Sequence, residues 1–192
     1  MLADLGRRWR RWAAHNRVRV TMALGLVYVA YSVPTVSGLL AGGALIVAGQ
    51  AIRFWAAGHL DKNIRLARGG PYRIVRHPLY LGSFLMGLGL AVAVEQPVVL
   101  VAVYVVLFLG FFVPAIHVEE LRLQSIFGPE YQDLMVDVPG LVPRLGRRPS
   151  SPAAAGDPPR FSWNRVLGNY ELRSVAAMAA LVAVQVAKLF VS

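Results

Sequence analysis

The sequence predicts an all-α, polytopic membrane protein with about five transmembrane helices. Of its 192 residues, 56% are hydrophobic and only 16% are charged, whereas soluble domains carry about 25% charge. The mean hydropathy is +0.52, and several apolar runs approach the ~20 residues that a helix needs to cross a bilayer. This composition excludes a disordered chain and a collagen-like fibre. The absence of cysteine excludes a disulfide scaffold, a thiolate nucleophile and a cysteine metal site.

The predicted spans are five apolar segments, at residues 18–33, 37–57, 79–94, 97–116 and 174–191. The first is short, at about 24 Å of helix, so we expect it to extend back through Arg17 and Arg19, whose long side chains reach the interface. The connections at residues 34–36 and 95–96 are so short that each must join two antiparallel helices.

The basic residues predict the orientation of these spans. Six Lys and Arg precede the first span, six surround the connection between the second and third, and seven lie between the fourth and fifth. Nineteen of the twenty therefore fall on one side, which the positive-inside rule makes cytoplasmic. The N-terminus is then inside and the C-terminus outside. Because the charges flank spans, contact with anionic lipid explains them and nucleic-acid binding is not expected.

The remaining segments complete a single membrane domain. Residues 1–17 form a basic cytoplasmic tail in which Trp9 and Trp12 are expected to anchor at the interface. Residues 144–160 are rich in Pro, Ser, Ala, Gly and Arg, which predicts a flexible, dispensable linker. A short interfacial segment at residues 161–172 leads into the C-terminal span.

Glycines recur on the second and third spans, where small side chains let membrane helices approach closely. We expect these glycines to serve helix packing: Gly38, Gly42, Gly43, Gly49, Gly82, Gly87 and Gly89.

The first polar cluster, residues 69–82, runs from a glycine pair into the third span. Pro78 suits the first helical position, which places His77 near the N-cap. A helix start offers free N–H groups to an anion, and Arg73 and Arg76 add positive charge there. This end is predicted to bind a carboxylate or phosphate.

The second polar cluster, residues 117–131, begins where the fourth span leaves the membrane. Glu119 and Glu120 point about 100° apart on a helix, so we expect only one of them to face a site. His117 and Glu120 share a face.

Both clusters lie on the predicted cytoplasmic side, with Arg and helix N–H groups at one end of the site and Glu at the other. The aromatic rings of Tyr72, Tyr80 and Tyr131 line this arrangement. It suits an amino-acid-bearing nucleoside. A metal site is not expected, because His77 and His117 lack zinc-protease spacing.

The ordered set of motifs closely resembles the isoprenylcysteine carboxyl methyltransferase family, whose wider group includes phospholipid N-methyltransferases. The resemblance covers residues 66–143 and is carried by residues 70–82, the Glu119–Glu120 pair, residues 127–131 and the closing residues 138–143. It implies an integral membrane enzyme that binds S-adenosylmethionine at the cytoplasmic face.

The resemblance also implies roles for individual residues. The cofactor pocket would be formed by Tyr72, His77, Pro78, Tyr80, Gly82, Glu119, Glu120 and Tyr131. Arg73 would close its rim with Tyr72 and act in catalysis together with Glu119 and Glu120. The chain departs from many relatives at His117, where they have Arg.

The predicted function is methyl transfer to a lipophilic or prenylated acceptor that enters from the bilayer, in a bacterial inner membrane. A prenylcysteine carboxylate, a phosphatidylethanolamine amine and a small hydrophobic thiol or amine remain open as acceptors. The alternatives are a phospholipid N-methyltransferase and a non-catalytic relative that binds cofactor or lipid. The span centres lack Asp, Glu and Lys, which disfavours a transporter. His15 and His59 are expected to be interfacial bystanders.

Overall fold

The computed structural model describes residues 2–144 and 160–191, all of whose regular structure is helical apart from one isolated bridge between Pro34 and Val94. The prediction of an all-helical chain is confirmed. The helices are α1 (Leu2–Tyr31), α2 (Val36–Gly58), α3 (Pro78–Val92), α4 (Pro97–Phe127), α5 (Pro129–Asp137), α6 (Trp163–Gly168) and α7 (Glu171–Lys188), with a 3₁₀ turn at Gly70–Arg73.

Two of these helices, α2 and α4, are long and apolar enough to cross a bilayer, and Arg19–Tyr28 of α1 and all of α3 are shorter apolar helices. Large apolar side chains on α4 stay exposed, including Val98 at 80% and Val106 at 68%. Such an outer surface suits lipid better than water. Helix α7 is not among these four helices, so the fifth span stays a prediction. The orientation in the membrane also stays a prediction.

Helix α1 begins much earlier than the sequence analysis predicted. It starts at Leu2, so the expected tail of residues 1–17 is helical from its second residue onward. The tail is rich in Leu, Ala and Arg and has no proline, a composition that favours a helix. The rings of Trp9 and Trp12 stack at 5.2 Å, and Trp9 packs 5.6 Å from Phe111 of α4. These tryptophans therefore join α1 to α4.

Helices α2 and α3 make the closest packing in the molecule. A Cβ atom added to Gly42 would lie 2.2 Å from the carbonyl oxygen of Gly89, and one added to Gly49 would lie 2.6 Å from that of Gly82. The expectation of glycine-mediated packing is confirmed at these four positions. It does not extend to Gly43, where a Cβ would meet nothing within 4 Å.

The two tight connections meet at one end of the molecule. The backbone N–H of Thr35 donates to Ala93 O at 3.2 Å, and that of Glu95 donates to Val33 O at 2.9 Å. The long connection between α2 and α3, the end of α4 and helix α5 therefore lie at the opposite end.

Helix α7 is held to the rest of the bundle by buried polar contacts that the sequence analysis did not predict. Arg53 of α2 donates from Nε and Nη2 to the carboxylate of Glu171, both at 2.9 Å. At the other end of α7, the fully buried Gln185 side chain donates to Ser32 Oγ at 2.8 Å. Of the predicted linker at residues 144–160, residues 145–159 lie outside the described part of the chain.

Candidate functional site

A cavity of about 600 Å³ opens at the end of the molecule opposite the tight connections. Its walls come from α1, the connection after α2, the start of α3, the end of α4 and α5. This volume is in the range of small-molecule sites, about 300–1,000 Å³. Much of the wall is apolar: Leu60, Leu66, Ala67, Leu79, Ala115, Val118, Leu123, Phe127 and Leu134.

The start of α3 is fixed from both sides. Gly70 adopts a positive φ of 54°, and a Cβ there would lie 2.7 Å from the His59 ring, so a side chain could not be accommodated. The backbone N–H groups of Arg76 and His77 donate to Pro139 O and Gly140 O at 2.8 and 3.0 Å. Residues 138–143, the last part of the motif set, therefore hold the segment that leads into α3.

His77 is the N-cap residue of α3 and Pro78 begins the helix, as expected. The His77 side chain makes no capping hydrogen bond, however. Its Nε2 lies 3.1 Å from Glu120 Oε1, which also accepts from Arg76 Nη2 at 2.6 Å. Arg76 Nη1 donates to Met135 O at 3.1 Å.

This contact corrects the predicted charge layout. The sequence analysis placed positive charge at one end of the site and the glutamates at the other. Instead, Glu120 occupies the expected anion position beside Arg76 and His77. The protein's own carboxylate satisfies these groups, and Glu120 is not part of the cavity wall.

Glu119 takes the opposite orientation and lines the cavity. The Tyr80 hydroxyl donates to Glu119 Oε2 at 2.7 Å, which fixes the carboxylate on the wall. The Tyr80 ring packs edge-on against His77 with centroids 5.9 Å apart. Glu119 therefore faces the cavity, whereas Glu120 binds Arg76 and His77.

Tyr131 contributes a buried hydroxyl without a partner. Its side chain lines the cavity and the residue is 1% exposed. Its Oη has no hydrogen-bond partner among the described residues. Burial raises the pKa of Tyr131 to about 12, and the Arg76 side chain lies beside the phenol. Burial also raises the pKa of Tyr72, another wall residue. A buried unpaired hydroxyl is costly, and this oxygen is inaccessible to solvent.

Three residues singled out in the sequence lie away from the cavity. Arg73 is exposed at the end of the 3₁₀ turn. Gly82 packs in the α2–α3 contact, where a Cβ would meet Arg53. His117, the departure from many relatives, is exposed and does not line the cavity.

The structure also brings residues to the cavity that the sequence analysis overlooked or set aside. They are Arg11, His15, Lys62, Arg65 and Arg122. His15, expected to be a bystander, is one of three α1 wall residues at positions 11, 14 and 15. That i, i+3, i+4 spacing marks one helix face and was the available signal. No three His, Asp or Glu residues within the described ranges lie close enough to hold a metal ion.

Comparison with known proteins finds relatives of two kinds, and the first are methyltransferases by name. A 106-residue segment is 34% identical to the protein-S-isoprenylcysteine O-methyltransferase of Schizosaccharomyces pombe, covering 55% of this chain and 44% of that protein. Isoform B of this enzyme from Arabidopsis thaliana is 32% identical over 100 residues, 52% of this chain and 50% of its own length. The chain thus spans about half the length of these relatives.

The relatives are not all named as methyltransferases. The cobalt-zinc-cadmium resistance protein CzcN of Cupriavidus metallidurans is 35% identical over 95 residues, 48% of this chain and 43% of that protein. No solved structure matches the chain.

The profile described as phospholipid methyltransferase matches residues 20–130, which is more than half of the chain. The matched segment contains α2, α3 and α4, together with His77, Tyr80 and both adjacent glutamates. The family is one of S-adenosylmethionine-dependent methyltransferases, although relatives such as CzcN are not known as enzymes. The apolar helices agree with a membrane location. The resemblance read from the motifs is therefore confirmed, and the chain belongs to the phospholipid methyltransferase family.

Proposed function

We propose that this protein transfers a methyl group from S-adenosylmethionine to a lipophilic or prenylated acceptor at the membrane surface. The observation that carries the proposal is the Glu119 carboxylate, which Tyr80 fixes on the wall of a largely apolar cavity. Family membership supplies the reaction class. The wall chemistry supports both the cofactor and the apolar acceptor.

The residues present fit this cofactor. Glu119 offers a carboxylate to an ammonium group, a charge-assisted hydrogen bond that is stronger than a neutral one. The side chains of Tyr72 and Tyr131 lie on the wall of the same cavity and provide aromatic surface for a flat base. The bound cofactor would supply a methyl group on a sulfonium centre.

The chain contributes orientation and exclusion of water. Methyl transfer by in-line displacement depends on alignment of the reacting atoms and on desolvation, and the apolar wall residues Leu79, Ala115 and Leu134 serve the second need. A carboxylate acceptor needs no base. An amine acceptor must lose a proton, and for such an acceptor Glu119 would act as the base instead of binding the cofactor's ammonium group.

The cluster of Arg76, His77 and Glu120 then acts as a positioning group. It joins the start of α3 to α4 through Glu120 and to the end of α5 through Met135 O. Because Glu119 and Glu120 lie on the same turn of α4, this cluster sets the angle at which Glu119 faces the cavity. In its more specific form, the proposal is that the acceptor is a carboxylate, as in the isoprenylcysteine relatives.

The proposal is tested by calorimetric titration of S-adenosylmethionine into the detergent-purified protein and into Glu119→Gln. The amide keeps the Tyr80 contact but loses the negative charge, so we expect cofactor binding to weaken by about tenfold or more. Glu95→Gln is the matched control, since Glu95 is exposed beside the α3–α4 turn at the other end of the molecule. Equal binding by Glu119→Gln and Glu95→Gln would remove Glu119 from the site.

Transfer is measured with a labelled methyl group and three acceptor classes: a prenylated cysteine, phosphatidylethanolamine and a small hydrophobic thiol or amine. Transfer to the prenylated cysteine supports carboxyl methylation, and transfer to phosphatidylethanolamine supports the N-methyltransferase alternative. Cofactor binding without transfer to any acceptor would favour the non-catalytic relative.

A further inference from the structure

We propose that Arg53 of α2 is a positioning residue for the cavity, and that Glu171 of α7 sets the orientation of its side chain. The inference rests on the proposed function, because it assigns a role in the same site. Neither residue lines the cavity. Helix α7 lies outside residues 20–130, the segment that matches the family. The C-terminal helix of this chain therefore helps to hold a site that is built from the shared segment.

The guanidinium group of Arg53 joins two helices at once. Its Nε and Nη2 donate to the two carboxylate oxygens of Glu171, both at 2.9 Å. Its Nη1 donates to Ser83 Oγ at 2.6 Å and to Leu79 O at 3.3 Å, both on α3. Because the guanidinium is planar and its pairing with the carboxylate is bidentate, Glu171 fixes the direction in which Nη1 points. Arg53 thereby links α7 to the first turn of α3.

A glycine of α3 makes room for the Arg53 side chain. A Cβ atom added to Gly82 would lie 2.5 Å from Arg53 Cγ, so a side chain at this position would push against the arginine. The sequence analysis placed Gly82 in the cofactor pocket, whereas the structure places it in the α2–α3 contact. Its position beside Arg53 gives this motif glycine a part in the site, although Gly82 does not touch the cavity.

The burial of the ion pair favours a role in geometry over a role in attachment. The side chains of Arg53 and Glu171 are 19% and 4% exposed. Replacement of a buried ion pair by well-packed apolar side chains often leaves stability unchanged or raises it, so attachment of α7 does not by itself require these charges. The hydrogen bond from Ser174 Oγ to Gln50 Oε1, at 3.3 Å, also joins α7 to α2. It differs in that neither partner is hydrogen-bonded to α3 within the described ranges.

The first turn of α3 carries the contact on which the candidate site depends. Leu79 and Tyr80 line the cavity, and the Tyr80 hydroxyl donates to Glu119. Leu79 also packs against the buried ring of Tyr72, another wall residue. Burial raises the pKa of the Tyr72 phenol, and the nearby charges of Glu119 and Glu171 raise it further. The ion pair therefore lies close behind the wall and acts on Glu119 through Leu79 and Tyr80.

The inference is tested first without any ligand. A fluorotyrosine is incorporated at position 80 of the full chain in detergent, and its fluorine resonance reports the hydrogen bond to Glu119. Glu119→Ala gives the resonance of the broken contact. We expect Ser83→Ala and Glu171→Gln each to move the resonance toward that reference, because each loosens the hold of the guanidinium on α3. Ser174→Ala is the matched control, since it removes a hydrogen bond between α7 and α2 one turn further along α7.

Titration of S-adenosylmethionine into the same variants tests the connection to the proposed function. Ser83→Ala and Glu171→Gln should each weaken cofactor binding by about threefold, and the double variant should lose about threefold in total, because both changes act through one guanidinium. Arg53→Lys should lose as much, since an ammonium group cannot reproduce the planar, bidentate pairing. Ser174→Ala should bind like the parent. Thermal unfolding of each variant reports whether the fold is kept.

An unmoved fluorine resonance in folded Ser83→Ala and Glu171→Gln would overturn the inference. An equal shift in Ser174→Ala would do the same, because it would mean that any loosening of α7 has this effect. A loss of about ninefold in the double variant would show that the two residues act independently, which also contradicts the inference. If the parent protein does not bind S-adenosylmethionine, the proposed function fails alone, and the fluorine resonance still decides whether Arg53 positions Tyr80.

Discussion

At the residue scale, two adjacent glutamates perform different tasks because a helix turns by about 100° between them. Glu120 points behind the cavity wall into Arg76 and His77, with a side chain only 15% exposed. Glu119 points into the cavity and accepts from Tyr80. A carboxylate that must stay charged inside a wall needs a cation beside it, whereas one that meets a ligand needs to be accessible.

The two glutamates should therefore respond differently to the same substitution. Glu120→Gln removes the negative partner of a largely buried Arg76, so we expect the free energy of unfolding to fall by about 2 kcal/mol. Glu119→Gln keeps an acceptor for Tyr80 and should change stability by less than about 1 kcal/mol. Thermal unfolding in detergent measures both, and equal destabilisation would contradict the assignment.

The sequence alone could predict that only one glutamate faces the site, since helix geometry requires it. It could not predict which one, because the answer depends on Arg76, which lies 44 residues earlier in the chain. The same dependence on residues distant in the chain explains why Arg73 and Arg76 differ in role. Both are basic residues before α3, but only Arg76 is turned toward Glu120 by the backbone contacts to Pro139 and Gly140.

At the element scale, the α2–α3 contact places the start of α3, and with it His77 and Tyr80, against the rest of the bundle. Its close approach comes from backbone meeting backbone at Gly42–Gly89 and Gly49–Gly82. The glycine pattern was visible in the sequence. Which glycines make the contact was not, because that depends on how each helix is rotated about its axis.

Neighbouring glycines of α2 test this contact. Gly42→Ala would place a methyl group 2.2 Å from Gly89 O, so the helices must separate and we expect a loss of about 1–3 kcal/mol. Gly43→Ala meets nothing within 4 Å and should be neutral or slightly stabilising. Unfolding of the two variants under identical detergent conditions decides the matter; similar losses would mean that α2 is rotated differently.

At the scale of the whole molecule, helices α6 and α7 are attached by polar contacts to α2 and to the connection that follows it. Arg53 joins Glu171, Arg165 joins Asp61, and the Asn169 side chain donates to Ala57 O at 3.0 Å. Arg53 is one of the six basic residues that the sequence analysis counted around the connection between the second and third spans. Its partner is 118 residues away, and no local pattern could identify that pairing.

These contacts predict that the C-terminal helices stay bound without a covalent link. A protease site introduced between Ala154 and Ala155, within the predicted linker, should allow cleavage while both fragments still elute together in size-exclusion chromatography. The same cleavage in a Glu171→Gln, Arg165→Gln variant should release more of the smaller fragment. Separation of the fragments in the otherwise unaltered protein would show that residues 144–160 are needed to hold α7.

Helix α4 has 31 residues and is about 46 Å long, whereas the hydrocarbon core of a bilayer is about 30 Å thick. With residues 97–116 filling that core, Glu119 stands only about 5 Å above its boundary. The helix would thus set the depth of the proposed methyl transfer. An acceptor would be chosen by the distance between its reactive atom and the point where its apolar tail meets the polar head. Lengthening the tail would therefore matter less than lengthening the polar spacer between the tail and the reactive atom.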